Sequence, residues 1–144
     1  MTAGLSMRVV VDANIVAAAL VQPHGWTARE LSRKDVDWFA PQFLRDELEE
    51  NAAKLAGFAG CSREAFVRRL KDLDQVRFVP PEELAAAEEH PLVRQAVLVD
   101  PDDATYLKAF VAAKADCLWT RDRALLGAFP DLAVLVLPPR DDQA

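Results

Sequence analysis

The sequence predicts an α/β fold: three layers, α/β/α, around a central, mainly parallel sheet of about five short strands. Two observations carry this. Short β-rich runs alternate along the chain with stretches of helical apolar spacing, the pattern of β–α–β units that lay helices on both faces of a parallel sheet. The first run, Met7-Arg8-Val9-Val10-Val11, holds three consecutive valines, as expected of a strand covered on both faces. That run ends on Asp12. A carboxylate at the C-terminal end of a first strand points into the crevice where open α/β folds bind ligands.

The remaining elements follow in order. Asn14 to Leu20 reads as a helix, interrupted by Pro23-His24-Gly25. Trp26 to Lys34 reads as a short helix with apolar or small residues at 26, 28 and 31, and Val36 to Ala40 as a strand closed by Pro41. Gln42 to Leu55 carries Leu44, Leu48, Ala52 and Leu55 at helical spacing, with Gly57 as the stop. Ser62 caps a helix whose face is Phe66, Leu70 and Leu73. Val76 to Val79 is a short strand ended by Pro80-Pro81, and Glu82 to Glu89 a short acidic helix. Pro91 to Val99 reads either as a further helical turn or as irregular chain. Asp100 fits a cap, Pro101 the first helical position and Asp103 the fourth place of a capping-box-like start, for a helix running to about Lys114. Asp116 to Thr120 is the next strand, Arg121 to Leu126 a short helix ended by Gly127, and Ala133 to Leu137 the last strand. No internal repeat or linker is visible, so residues 1–144 are expected to form one domain, with 1–6 and 139–144 as flexible ends.

Composition narrows the function classes. Hydrophobic residues make up 51% and charged residues 28%, an ordinary globular balance. No apolar run approaches the roughly 20 residues of a membrane span, and no secretory signal precedes the first strand. A cytoplasmic protein with reduced Cys61 and Cys117 is expected. His24 and His90 are isolated, without metal-ligand spacing. The net charge of −6 and pI of about 4.9 argue against a broad passive nucleic-acid surface. They leave room for a nuclease, whose metal ions supply positive charge locally, and they suit a basic protein partner.

Asp12 has company at the predicted sheet edge. Thr120 and Asp122 sit where the fourth strand leaves the sheet, Asp103 lies in the first turn of the helix before it, and Glu47 precedes the apolar Leu48. Converging carboxylates repel one another and raise their pKa values, an arrangement that divalent cations relieve. Oxygen ligands suit Mg²⁺ or Mn²⁺. Each acid also has a plain structural reading. Asp12 and Asp122 can simply cap the helices that follow them. Asp100, Asp102 and Asp103 suit a helix N-terminus, and Glu47 can belong to a solvated face. Arg45, Arg121 and Arg123 lie beside the acids and are candidates for phosphate contact, Arg121 first among them. Arg63, Arg68, Arg69 and Lys71 read as the solvated side of a helix.

The combination resembles the PIN-domain ribonucleases. Val9-Val10-Val11-Asp12-Ala13-Asn14-Ile15-Val16 is similar to their first motif and Phe43-Leu44-Arg45-Asp46-Glu47-Leu48 to their second. Asp100-Pro101-Asp102-Asp103, followed by the run from Ala112 to Leu126 with Thr120-Arg121-Asp122 at its heart, is similar to the third and fourth. The resemblance spans Met7 to about Leu137. It implies a PIN-like fold and a Mg²⁺- or Mn²⁺-dependent endoribonuclease acting on single-stranded RNA. Asp12, Glu47, Asp103 and Asp122 would be its catalytic acids, the three aspartates its metal ligands. Asn14 and Thr120 would support them, Asn14 orienting Asp12 or a water and Thr120 orienting Asp122. Asp103 is preferred to Asp102 because it shares a helical stripe with Leu107, Phe110, Val111 and Lys114, and Glu47 to Asp46 because it precedes Leu48. Small members of the family often serve as toxins of toxin–antitoxin pairs, which implies a cognate antitoxin as partner, and PIN-type proteins commonly dimerise, which implies a homodimer. Three other readings compete. A receiver-like phosphoacceptor would want paired acids at Asp12 and an Asp after the third strand. A PIN-like module that has lost activity would bind RNA or protein without cleaving. A dehalogenase-type phosphatase would want an acid where Asn14 stands.

Overall fold

A computed structural model of the chain describes residues 6–139. The ends expected to be flexible, 1–6 and 139–144, lie outside the described residues except for Ser6 and Pro139. In chain order the elements are β1 (Met7–Val11), α1 (Ala13–Val21), α2 (Trp26–Leu31), β2 (Val36–Pro41), α3 (Phe43–Glu50), α4 (Ala52–Ala59) and α5 (Arg63–Lys71). There follow β3 (Val76–Val79), α6 (Pro81–Ala86), α7 (Pro91–Val99), α8 (Ala104–Ala113), β4 (Cys117–Trp119), α9 (Arg123–Ala128) and β5 (Ala133–Val134). The fold is α/β, with helices flanking a sheet that has five strands among the described residues, all parallel.

The strand order is β3-β2-β1-β4-β5. The chain builds outward from β1 through β2 to β3, then returns to add β4 on the other side of β1. Strand order therefore reverses at β1, and the connections leaving β1 and β4 diverge, opening a crevice at their C-terminal ends. Val9, Val10 and Val11 are fully buried, as a central strand covered on both faces requires. α1 packs with α2, α4 and α5, while α8 packs with α6 and α7 and lies against β1, β2, β3 and β4. Trp38 of β2 and Trp119 of β4 pack with ring centroids 5.7 Å apart inside this core.

Several boundaries differ from the sequence expectation, each for a physical reason. The helix expected over Gln42 to Leu55 is two helices. Asn51 interrupts it, its side-chain Nδ2 donating to the Glu47 carbonyl at 2.9 Å in the local competition with backbone typical of Asn. Gly57 does not end the second helix. Gly60 does, at φ 71°, in a Schellman turn closed by Cys61 N–H donating to the Ala56 carbonyl at 3.1 Å. Pro91 to Val99 is a helix, with Pro91 in its first turn and the His90 ring accepting from Leu92 N–H at 3.1 Å. Asp100 ends that helix instead of capping the next one, and its Oδ1 accepts from Asp102 N–H at 3.0 Å. α8 starts only at Ala104. The last strand is two residues long, not five, because β4 turns away after Trp119 and leaves Leu135 no ladder partner. The Leu135 carbonyl accepts instead from the Trp119 indole N–H at 3.0 Å.

Candidate active site

The crevice at the ends of β1 and β4 holds a cleft of about 190 Å³. Asp12, Glu47, Asp102, Asp103 and Asp122 all line it, with Asn14 at its rim and Phe43, Tyr106 and Leu125 as its apolar walls. The four acids singled out in the sequence thus come from four separate places: the end of β1, α3, the turn before α8, and the end of β4. Asp46 does not line this cleft; it faces another with Glu49, Glu50 and Arg63.

Asp12 is 4% exposed. Its Oδ1 caps α1 by accepting from Ile15 N–H at 3.0 Å, and its Oδ2 accepts from the Thr120 hydroxyl. The register Val11↔Trp119 brings Thr120 alongside Asp12. Thr120 also accepts from Asp122 N–H at 3.0 Å, so one buried hydroxyl fastens the ends of both strands. Its side chain therefore orients Asp12, whereas Asp122 is held through its backbone. Burial raises the Asp12 pKa most; the Thr120 and Ile15 bonds oppose it and the nearby Asp122 charge adds to it.

Asp122 caps α9, with Oδ1 accepting from Ala124 N–H at 2.8 Å and Leu125 N–H at 3.1 Å. The cap reading and the cleft reading hold together, since the same side chain lines the cleft. Asp103 behaves differently. It stands at the N-cap position of α8 but makes no capping bond. Its residue is 9% exposed and its Oδ2 is buried without a hydrogen-bond partner. Burial, then the charges of Asp122, Asp100, Asp12 and Asp102, push its pKa up to about 6. Asp102, by contrast, is exposed.

Tyr106 was not foreseen. Its hydroxyl accepts from Ala13 N–H at 3.1 Å, satisfying a free donor in the first turn of α1. Its ring meets Phe43 at 5.7 Å, and burial raises its pKa. The signal was one helical turn away: Tyr106 follows Asp103 by three residues and so shares its face. Of the phosphate-contact candidates, Arg45 lies over the Phe78 ring at 5.7 Å and Arg121 donates to Thr27 Oγ1 at 2.8 Å. Neither lines the acidic cleft. Glu47 and Asn14 are exposed at its mouth.

Among the described residues, no three His, Cys, Asp or Glu side chains are drawn together tightly enough to hold an ion as they stand. The donor chemistry nevertheless fits a hard cation: carboxylate oxygens, one of them buried and unpartnered, with mutual repulsion that a cation would relieve. A family model described as PIN domain matches residues 8–124. No curated protein matches the chain.

Proposed function

The chain belongs to the PIN-domain family, and from that premise we propose that it is a metal-dependent endoribonuclease hydrolysing phosphodiester bonds in single-stranded RNA. PIN domains are nucleases in general. The observation that carries the finer reading is Asp103, a buried carboxylate with an unpartnered oxygen amid the charges of Asp122, Asp100, Asp12 and Asp102. Asp12, Asp103 and Asp122 would hold Mg²⁺ or Mn²⁺. The bound ion would supply Lewis-acid polarisation of the phosphate and a more acidic water.

The chain's own residues do the rest. The Thr120 hydroxyl donates to the Asp12 carboxylate, and the Tyr106 hydroxyl accepts from Ala13 N–H in the first turn of α1. Glu47, exposed at the mouth, would take a proton from the attacking water, and solvent would return one to the leaving oxygen as the P–O bond breaks. Arg121 and Arg45 would contact the RNA backbone. The reading treats residues 1–144 as one PIN-like domain working in the cytoplasm, as a toxin whose acidic body suits a basic antitoxin segment, and as a homodimer. No helix among the described residues is long and apolar enough to cross a membrane.

The test is cleavage of a labelled single-stranded RNA with Mg²⁺ or Mn²⁺, with and without chelator. Wild type should cleave, chelator should abolish cleavage, and Asp12→Asn should lose at least about a hundredfold, the upper end of what outer-sphere partners of a metal cost. Equal cleavage by wild type and Asp12→Asn would sink the mechanism.

A further inference from the structure

A second cleft, of about 420 Å³, lies further along α1 and beside Arg121. Ala18 and Val21 of α1, Gln22 at its C-terminal end, Trp26 and Thr27 of α2, and Arg121 line it. Positions 14, 18, 21 and 22 share one face of α1. Asn14 borders the acidic cleft and the other three border this one, so successive turns, roughly 6 Å apart, lead from one to the other. Arg121 joins them a second time, standing between Thr120 and Asp122 in the chain.

The two side chains that dominate the second cleft are both fixed and both open. Trp26 is 47% exposed, yet it is braced by Trp119 in an edge contact at 6.2 Å and 85°. Arg121 is exposed and anchored through one nitrogen to the buried Thr27 hydroxyl. Among the described residues no ion pair engages it, which leaves its remaining donors open to a ligand. Gly25 also lines the cleft, and a side chain there would meet the Gln22 carbonyl at 3.2 Å and its side chain at 3.3 Å. An open indole beside a held guanidinium suits a flat ring joined to an anion, and one nucleotide presents both.

We propose that this cleft is a nucleotide subsite for single-stranded RNA. Trp26 stacks on a base and Arg121 holds a phosphate neighbouring the one in the acidic cleft. The inference rests on the RNA reading above and adds to it the direction in which the strand leaves the metal acids.

The test is equilibrium binding of a fluorescent oligouridine, and of an abasic oligomer of the same length, with Ca²⁺ in place of Mg²⁺ and the oligomer checked as intact. Trp26→Ala should weaken oligouridine binding about tenfold, within the range a lost base stack costs, and leave abasic binding unchanged. Trp26→Phe should stay within about threefold of wild type, which separates stacking from misfolding. Arg121→Ala should weaken both oligomers and lower the salt slope by about one. Wild-type levels of oligouridine binding by Trp26→Ala, an equal loss on the abasic oligomer, or no preference of wild type for bases would overturn the subsite. Trp26-dependent binding without cleavage in Mn²⁺ would keep the subsite and sink the nuclease. Cleavage with binding indifferent to Trp26 would do the reverse.

Discussion

Arg33 and Asp103 are both buried charges, set at opposite ends of the same sheet. Arg33 lies just before β2, at the N-terminal edge. Asp35 receives its Nε at 3.0 Å and a terminal nitrogen at 2.8 Å, Glu30 approaches at 3.4 Å, and the Pro138 carbonyl accepts at 2.9 Å. The Asp35 hydrogen bonds hold its pKa above the ordinary arginine value. Asp103, at the C-terminal edge, has a buried oxygen with no partner and like charges around it. A buried charge that the fold has paired ties its neighbours together, and removing one partner leaves the other uncompensated. One left unpaired among its own kind destabilises the fold, and its retention makes sense only if something else completes it.

The contrast can be broken by substitution. The largest effect is expected at the paired end. Arg33→Ala removes the ties to Asp35, Glu30 and the Pro138 carbonyl, and should cost about 3 kcal/mol of unfolding free energy in urea, the low end for breaking a buried pair. Cleavage per folded molecule should be unchanged. A loss under about 0.5 kcal/mol, the level of an ordinary surface change, would mean that Arg33 is no structural tie. Next comes Thr120→Val, which keeps shape but frees Asp12. It should reduce cleavage about 10–100-fold while leaving the sheet folded by circular dichroism. Full activity in that variant would show that Asp12 does not need the Thr120 hydroxyl.

The smallest effect has the opposite sign. Asp103→Asn should stabilise the metal-free protein at neutral pH. The direction follows from protonation. Below the ordinary value of 3.8, Asp103 is neutral in both states and costs nothing; its folded pKa is about 6. As pH rises through that window the folded state must take on a crowded charge, so wild type loses stability relative to Asp103→Asn between about pH 4 and pH 6. The gap of about two pKa units bounds the effect near 3 kcal/mol, and solvent in the open cleft brings it to about 1–2 kcal/mol. Melting curves of both proteins at pH 4, 6 and 8 without metal measure it. Added Mg²⁺ or Mn²⁺ should raise the melting temperature of wild type alone, and more strongly as Asp103 loses its proton. Parallel melting curves for the two proteins would remove Asp103 from the argument.

The legible and illegible parts of this molecule divide by range. The β1 valines, the alternation of elements and the placement of Asp12 and Asp122 at strand ends follow from local pattern, and the parallel sheet then brings them to one edge. Glu47 and Asp103 were legible through the family resemblance more than through spacing. What local pattern does not contain is partnership across the chain. Tyr106 reaches Ala13 over 93 residues, Thr120 reaches Asp12 over 108, and Arg33 reaches Pro138 over 105. Arg33 also sat in the tail of a helix expected to reach Lys34, whereas α2 ends at Leu31 and the residue turns inward. The Asp100 cap failed for a related reason: Asp100 and Asp103 were both suited to start α8, and the choice was made by α7, whose existence the sequence left open.

The shortness of β5 bears on how copies of this chain treat each other. A run such as Ala133-Val134-Leu135-Val136-Leu137, extended along an open sheet edge, would present a flat apolar template for another strand, the geometry that seeds fibrils. Pairing stops at Val134, and the Trp119 indole captures the Leu135 carbonyl that would otherwise head a new ladder. At the far edge, β3 spans four residues and carries an exposed Arg77. Both margins of the sheet are thereby blunted against edge-to-edge growth, and a Trp119→Phe chain, folded but without that indole donor, is the one expected to turn cloudy first on prolonged warming.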